Sequence, residues 1–367
     1  MAQVKLKNVH KVYDGVSAIR DCNLTVEDKE WMMIAGPTGC GKSSLLKAIA
    51  GFEEIDQGEI YIGGALVNGL TPPEREIAAL LQNNALYPSL TVFENLAFGI
   101  TGKKAAGEAL QGRIRRVAET LQLTELLERK AQDLSPEERH LVSIGRVLVR
   151  EPKVVLLDEP LANLERSLQL SQREFLARLQ KQLGITFIYV TQDPSEAVAM
   201  GDRLAVMKEG VIQQVGTPET LRERPVNRFV AGFLSVPQMN FLDGVLKRES
   251  SGYALTLETC RMALPSQDGD EKLASYVGKE VVLGIRPETI SLPLEQEGPE
   301  GITSIVEGVD SLDGETYVFL NCQGNRVVAP IASPYLVEAG DEVKIHFTPN
   351  PRYLFDKETE KAILQDE

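Results

Sequence analysis

The segment GPTGCGKSS, Gly36 to Ser44, has the spacing GxxxxGK followed by serine, and it stands between the apolar run WMMIAG and the helical pattern SSLLKAIAG. Glycines in such a loop let the chain wrap with its N–H groups turned inward, and the following helix brings its positive end to the same place. A cradle of this kind holds nucleotide phosphates along Gly36, Pro37, Thr38, Gly39, Cys40, Gly41, Lys42, Ser43 and Ser44. It directs the Lys42 ammonium to the β- and γ-phosphates and the Ser43 hydroxyl to Mg2+. Far along the chain, VVLLDEP (Val154 to Pro160) closes an apolar run with two carboxylates. Asp158 is placed to complete the Mg2+ shell and Glu159 to polarise an attacking water. Residue types and spacing therefore point to a site for a nucleotide with Mg2+.

The elements that must position these residues are legible in the hydrophobic pattern. Residues 1–235 alternate short apolar runs with helical periodicities, the signature of an α/β sheet domain. WMMIAG and VVLLD are continuous apolar runs, as expected of strands covered on both faces. Between about residues 87 and 153 the pattern turns helical, with leucines three and four apart in GRIRRVAETLQLTELLERKAQDL. In TQDPSEAVAMG, Asp193 reads as a helix cap, Pro194 as the first helical residue and Gly201 as the stop, with Glu196 three residues after the cap. DRLAVMKEGVIQQVG reads as a hairpin turning at KEG.

Residues 236–367 differ in kind: YALTLETC, EVVLGIRP, ETYVFLNC, NRVVAPI and DEVKIHFTP are short strands parted by Gly, Pro and Asp turns. The fold class expected is an α/β P-loop domain with a helical insertion, followed by an all-β barrel of oligonucleotide/oligosaccharide-binding (OB) type, with the linker inside FLSVPQMNFLDG.

A formal net charge of −14 over 367 residues argues against nucleic acid as a partner, since phosphate backbones need a basic face. No run approaches the roughly 18 apolar residues of a membrane span. Work at a membrane would then go through a partner. Four dispersed cysteines, Cys22, Cys40, Cys260 and Cys322, suggest neither a zinc site nor a disulfide framework. Cys40 reads as a small loop residue and Trp31 as packing.

With both nucleotide motifs in place, the chain resembles the ATP-binding cassette (ABC) family over nearly its whole length. It is most similar to the ATPase subunits of bacterial sugar and polyol importers. LLQNNALYPSLTVFENLAFG looks like the family's glutamine-loop region, which implies that Gln82 touches Mg2+ and the attacking water. Tyr13 matches the aromatic residue that stacks on adenine. RFVAGFLSVPQMNFLDG and VLGIRPETI resemble the junction and accessory barrel (TOBE type) of the sugar-importer branch. The resemblance implies a peripheral protein at the cytoplasmic face of the inner membrane. Its partners would be two membrane-spanning permease subunits, a second ATPase subunit and, indirectly, a solute-binding protein.

Three places depart from the family pattern. Where the family reads LSGGQ, Leu134 to Glu138 reads LSPEE. The resemblance implies that Ser135 and the N–H groups after it face the γ-phosphate bound to the opposing subunit. Pro136 removes one donor, and Glu137 and Glu138 bring negative charge where an anion should sit. The same residues make a sound helix start: Ser135 as cap, Pro136 first, and Glu138 able to fold back. Where the family has histidine after VT, this chain has Gln192, which can donate a hydrogen bond but carry no charge. LANLE replaces a usual SNLD.

A homodimer would carry both the signature and the histidine fault in both sites, whereas beside an intact homologue each site would carry one. The expectation is a pair of non-identical ATPase subunits with low intrinsic activity, importing a small carbohydrate or polyol, with glycerol as the guess at cargo. The alternative is a nucleotide-binding regulatory subunit that scarcely hydrolyses ATP. A soluble cassette for nucleic-acid work fits the acidic charge poorly.

Overall fold

The computed structural model describes residues 2–364 apart from 82–84, 99, 101–106, 163, 251, 258–260, 265–269, 293–301, 313, 323, 332–336, 348, 349, 351 and 352. The chain forms two compact units, Met1–Pro218 and Glu219–Glu367.

In the first unit, β1 (Val4–Tyr13), β2 (Val16–Val26), β4 (Gln57–Ile62) and β5 (Ala65–Leu66) make an antiparallel sheet in the order β2-β1-β4-β5. A second sheet, in the order β10-β9-β3-β8-β7-β6, combines β3 (Trp31–Ala35), β6 (Ile77–Leu80), β7 (Val154–Asp158), β8 (Thr186–Thr191), β9 (Arg203–Lys208) and β10 (Val211–Gly216). Its inner strands are parallel, and β10 returns antiparallel to β9 around the expected Glu209–Gly210 turn. Every residue of β3, β7 and β8 is buried, which is why their sequences read as unbroken apolar runs. Helix α1 (Lys42–Ala50) puts Leu45, Leu46 and Ile49 into one core with Val4, Leu6, Ile60, Met32, Ile34, Leu156 and Ile188.

The stretch between β6 and β7 carries the expected helices α2 (Val92–Phe98), α3 (Glu108–Thr120) and α4 (Pro136–Leu148). Close packing holds them together. A Cβ at Gly145 of α4 would lie 2.6 Å from the Leu96 side chain and 3.1 Å from that of Leu121, so only glycine fits without a shift. Two further helices, α5 (Arg166–Leu183) and α6 (Pro194–Met200), flank β8 in sequence. No helix among the described residues is long and apolar enough to cross a membrane.

The second unit takes in α7 (Pro218–Glu223) beyond its first residue and α8 (Arg228–Phe233), which the sequence had placed with the first domain. The reason is packing. Ala231 of α8 shares a core with Met239, Val282, Tyr353 and Phe355, and the Arg286 guanidinium donates to the Arg222 carbonyl of α7. The strands are β11 (Asn240–Glu249), β12 (Gly252–Thr256), β13 (Arg261–Leu264), β14 (Glu280–Ile285), β15 (Ile302–Leu312), β16 (Glu315–Cys322), β17 (Asn325–Pro330), β18 (Glu342–Ile345) and β19 (Leu354–Asp356). They form a five-stranded sheet, β13-β12-β11-β14-β19, and a four-stranded sheet, β17-β16-β15-β18. Leu246, Leu255, Leu283, Val306, Val318, Leu320 and Val327 from both sheets fill one core, the all-β character expected of an OB-type fold.

Candidate nucleotide site

The site is assembled by the order of three adjacent parallel strands. In the sequence β3-β8-β7, Ala35 is level with Thr191, and Asp158 with Val190. The residues that follow each strand therefore emerge side by side at the carboxyl edge of the sheet, where open α/β sheets bind ligands. This brings together the loop Gly36–Gly41, the pair Asp158–Glu159 and Gln192.

Two loop glycines are required by close approach. A Cβ at Gly36 would lie 2.2 Å from the Met207 carbonyl oxygen, and one at Gly41 would lie 2.1 Å from that of Ala18. Gly41 also caps α1 with φ 103°, in the left-handed region that side chains avoid. The Lys42 ammonium is buried and donates to the carbonyls of Gly36 and Pro37, each at 2.8 Å. The Cys40 thiol lies 3.7 Å from Lys42 Nζ, and burial raises its pKa against the pull of that ammonium. Pro37, Thr38, Gly39 and Ser44 lie on the same loop and first helical turn.

Ser43 Oγ donates to Asp158 Oδ1 at 3.1 Å. Burial raises the Asp158 pKa, while Ser43, Lys42 and Lys47 pull it down. A hydroxyl and a carboxylate meeting in a partly buried position are hard oxygen donors of the kind Mg2+ takes. Glu159, the next residue, has φ 46° and is half-buried, with its N–H bonded to the Val190 carbonyl at 2.9 Å. A left-handed backbone at a residue other than glycine is strain that the surrounding structure must hold.

Gln192 is exposed, and its Oε1 accepts a bond from Thr38 Oγ1 at 2.6 Å, so the side chain is tied to the phosphate loop itself. Its backbone neighbours are pinned from behind. Asp193 N donates to Thr191 Oγ1 at 2.9 Å, and Asp193 Oδ1 caps α6 by accepting from Ser195 N at 2.8 Å. Glu196, which the sequence pattern offers as a partner for the helix cap, turns inward instead. Its Oε2 accepts from Thr191 Oγ1 at 2.7 Å and Tyr189 Oη at 3.0 Å, and Arg173 lies 3.5 Å from its other oxygen. Burial raises the Glu196 pKa, opposed by Thr191, Arg173 and Tyr189. Arg173 also reaches Asp193 Oδ2 at 2.9 Å. Nothing in the linear sequence signals this network, because Arg173 and Glu196 come from different helices.

Arg75 is a second contributor the sequence did not reveal. Its guanidinium is buried and donates to the Ala48 and Ile49 carbonyls at 2.7 and 2.8 Å, closing the carboxyl end of α1. Tyr13, at the end of β1, is partly exposed, with its hydroxyl bonded to Glu53 and Lys11 Nζ 5.1 Å from its ring centroid. Gln82 lies outside the described residues.

At the LSPEE segment the expected helix start is present in full. Ser135 caps α4: its Oγ accepts from Glu138 N at 3.1 Å, and its own N–H donates to Glu138 Oε2 at 2.7 Å. The sequence did not anticipate the next contact. Gln172 of α5, itself buried, donates to Glu137 Oε1 at 2.7 Å. Asp158, Glu159, Pro136, Arg139 and His140 all line one cavity of about 750 Å³. Burial pushes the His140 imidazole down to about 4, and its Nε2 has no partner among the described residues.

Residues 19–162 match the family model for ABC transporters, and residues 237–290 match the model for the MalK OB-fold domain. The chain is 43% identical over 374 residues to a trehalose/maltose import ATP-binding protein, MalK, of Thermococcus litoralis, covering 99% of this chain and 100% of that protein. The chain belongs to the ATP-binding cassette family. A second relative of this cassette is the oligosaccharides import ATP-binding protein MsmX of Bacillus subtilis, 39% identical over 372 residues with the same coverage. Among solved structures, the ADP conformation of the cassette MJ1267 aligns with a TM-score of 0.55 at 26% identity, covering 61% of this chain and 96% of that one. A dimeric post-hydrolysis state of the cassette MJ0796, bound to ADP and Pi, aligns with a TM-score of 0.51 at 30% identity, covering 59% and 98%. The cassette is thus an ABC-type ATPase of the sugar-importer branch, coupled to transport.

Proposed function

We propose that this cassette is the ATP-hydrolysing subunit of an importer for a small carbohydrate or polyol, and that it works beside a second, non-identical ATPase subunit. Support for catalysis comes from the cluster at the sheet edge. Lys42 and the loop N–H groups bind the phosphates, and Ser43 and Asp158 would hold Mg2+, which supplies charge neutralisation on the phosphoryl oxygens. Glu159 accepts the proton of the attacking water, and Gln192 donates toward the γ-phosphate from its anchorage on Thr38. Tyr13 offers a ring to the adenine, and Gln82 is assigned to the water and metal by resemblance alone.

The observation that carries the unequal pairing is the internally satisfied start of α4. Glu138 folds back onto Ser135 and Glu137 is held by Gln172, so the groups that would meet a partner's γ-phosphate are occupied within the chain. A partner with an intact signature leaves one fault in each site instead of two. The relatives' names, trehalose/maltose and oligosaccharide import, support a carbohydrate cargo. Glycerol remains the specific proposal for the cargo. Native mass measurement of the complex, purified through a tag on this chain, tests the pairing. One copy of this chain with one different cassette is the expected result, and two copies of this chain with no second ATPase would sink it. Glycerol-dependent stimulation of ATP hydrolysis in the reconstituted complex, absent with maltose, tests the cargo.

The same occupied helix start favours a second reading, a regulatory subunit that binds ATP and hardly hydrolyses it. The two readings part on Gln192→His. A rise in turnover identifies a working site, and no change identifies the passive role.

A further inference from the structure

The second unit contains a cavity of about 610 Å³ that the nucleotide chemistry does not use. It lies against the outward-facing residues Asp310, Phe319 and Arg326 of the four-stranded sheet and against Arg228, Gln238 and Phe241 from α8 and the start of β11. Its walls are fixed. Asn240, buried, accepts from the Val328 N–H at 2.7 Å and donates to the Val328 carbonyl at 2.9 Å, clipping β11 to β17 across the two sheets.

The two arginines are held in the same manner. The Arg228 guanidinium carbon stands 4.6 Å from the Phe241 ring centroid, and that of Arg326 stands 4.8 Å from the Phe319 centroid. A guanidinium stacked on a ring has its plane fixed while its edge N–H donors remain in play, the geometry that suits phosphate and carboxylate oxygens. Neighbouring carboxylates neutralise them weakly. Glu307 reaches Arg326 only at 3.9 Å and accepts from Asn321 Nδ2 at 3.2 Å. Glu315 is engaged by the Tyr317 hydroxyl. Asp310 brings a carboxylate to the same cavity, with Oδ1 accepting from Ser311 N at 2.8 Å. Two cationic forks, one acid, two amides and three aromatic side chains around a volume of this size describe a small-molecule pocket.

We propose that this cavity binds a small phosphorylated polyhydroxy compound. Its phosphate lies between Arg228 and Arg326, and its hydroxyls donate to Asp310 and bond with the Gln238 amide. A bare anion leaves Asp310 facing negative charge with no hydroxyl to accept, and an uncharged polyol leaves both guanidiniums unpaired. The chemistry selects a ligand with both parts.

Isothermal titration of the full chain tests this, with a non-hydrolysable ATP analogue and Mg2+ saturating the phosphate loop. The probes are sn-glycerol 3-phosphate, glucose 6-phosphate, glycerol, glucose and inorganic phosphate. The expected result is saturable binding of at least one phosphorylated polyol, about tenfold or more tighter than inorganic phosphate or either uncharged compound. Arg326→Ala, at an exposed position, should weaken that binding by about tenfold or more. Asp310→Asn should narrow the preference over inorganic phosphate. Equal binding of all anions would mean an adventitious ion only and overturn the proposal, as would no saturable binding or an Arg326→Ala variant that binds as the parent does. If Arg326→Ala alters only the oligomeric state and no probe binds, the cavity is a protein interface and the proposal fails.

Discussion

The Gln172 side-chain amide donates to Glu137 Oε1 at 2.7 Å, joining the middle of α5 to the first turn of α4. Glu137 stands in LSPEE, where the resemblance to the cassette family implies a small residue whose N–H would face nucleotide on the opposing subunit. Its carboxylate is instead used within its own chain.

Reverting the segment with Pro136→Gly, Glu137→Gly and Glu138→Gln should therefore raise ATP turnover of the assembled complex by at least about tenfold, since single preorganised donors are worth ~10²–10³ in rate. The same change strands the buried Gln172 amide, at a cost of about 1–3 kcal/mol. Adding Gln172→Leu should recover melting temperature without altering turnover. Steady-state hydrolysis and calorimetric scans on both variants separate the two effects.

Gln192 is fixed to the phosphate loop through Thr38 at 2.6 Å, and its backbone is braced by the Arg173–Asp193–Glu196 network. Gln192→His should increase turnover by about tenfold, because a charge-assisted donor is roughly twice as strong as a neutral one. Gln192→Ala should lower it. Arg173→Met should reduce turnover with little change in nucleotide affinity, since Arg173 acts through the backbone that carries Gln192. Rates measured beside fluorescent-nucleotide binding check all three.

Glu159 sits at φ 46° immediately after the metal-side carboxylate Asp158. Glu159→Gln should cut hydrolysis by about 10²–10⁴, the usual worth of a positioned general base, while leaving ATP binding intact. Trapped ATP in a stable closed complex would be the direct readout.

His140 lies in the cavity shared with Glu159 and Arg139, and burial depresses its imidazole to about 4. The unfolded chain, with histidine near 6.5, binds more protons over the interval between these values. The group's contribution to stability is thus fully present above about pH 6.5 and lost as pH falls toward about 4. The loss amounts to at most about 3 kcal/mol. His140→Gln should flatten the acid side of the stability profile over that range, measured by urea unfolding at several pH values.

The local chemistry of this protein was legible in its sequence because it is written in short, contiguous segments. GPTGCGKSS between an apolar strand and a helix, VVLLDEP, and the cap at Ser135 each depend on neighbours a few residues away, so type and spacing sufficed. The all-β character of the second unit followed from period-two alternation and turn residues. The positions of α7 and α8 did not, because short helices declare no allegiance until their apolar faces find a core. For α8 that core is Met239, Val282, Tyr353 and Phe355.

Tertiary structure alone decided the contacts made between distant segments. Strand order β3-β8-β7 set Gln192 beside the phosphate loop, and burial turned Glu196 away from its own helix cap toward Tyr189 and Thr191. The Gln172–Glu137 bond and the Arg228 and Arg326 stacks likewise join residues whose separation in sequence carries no periodic signal. Sequence determines which groups are present and how each segment folds on itself. Which buried polar groups become partners depends on how the sheets and helices pack, because an unpaired one costs more than any local preference can return.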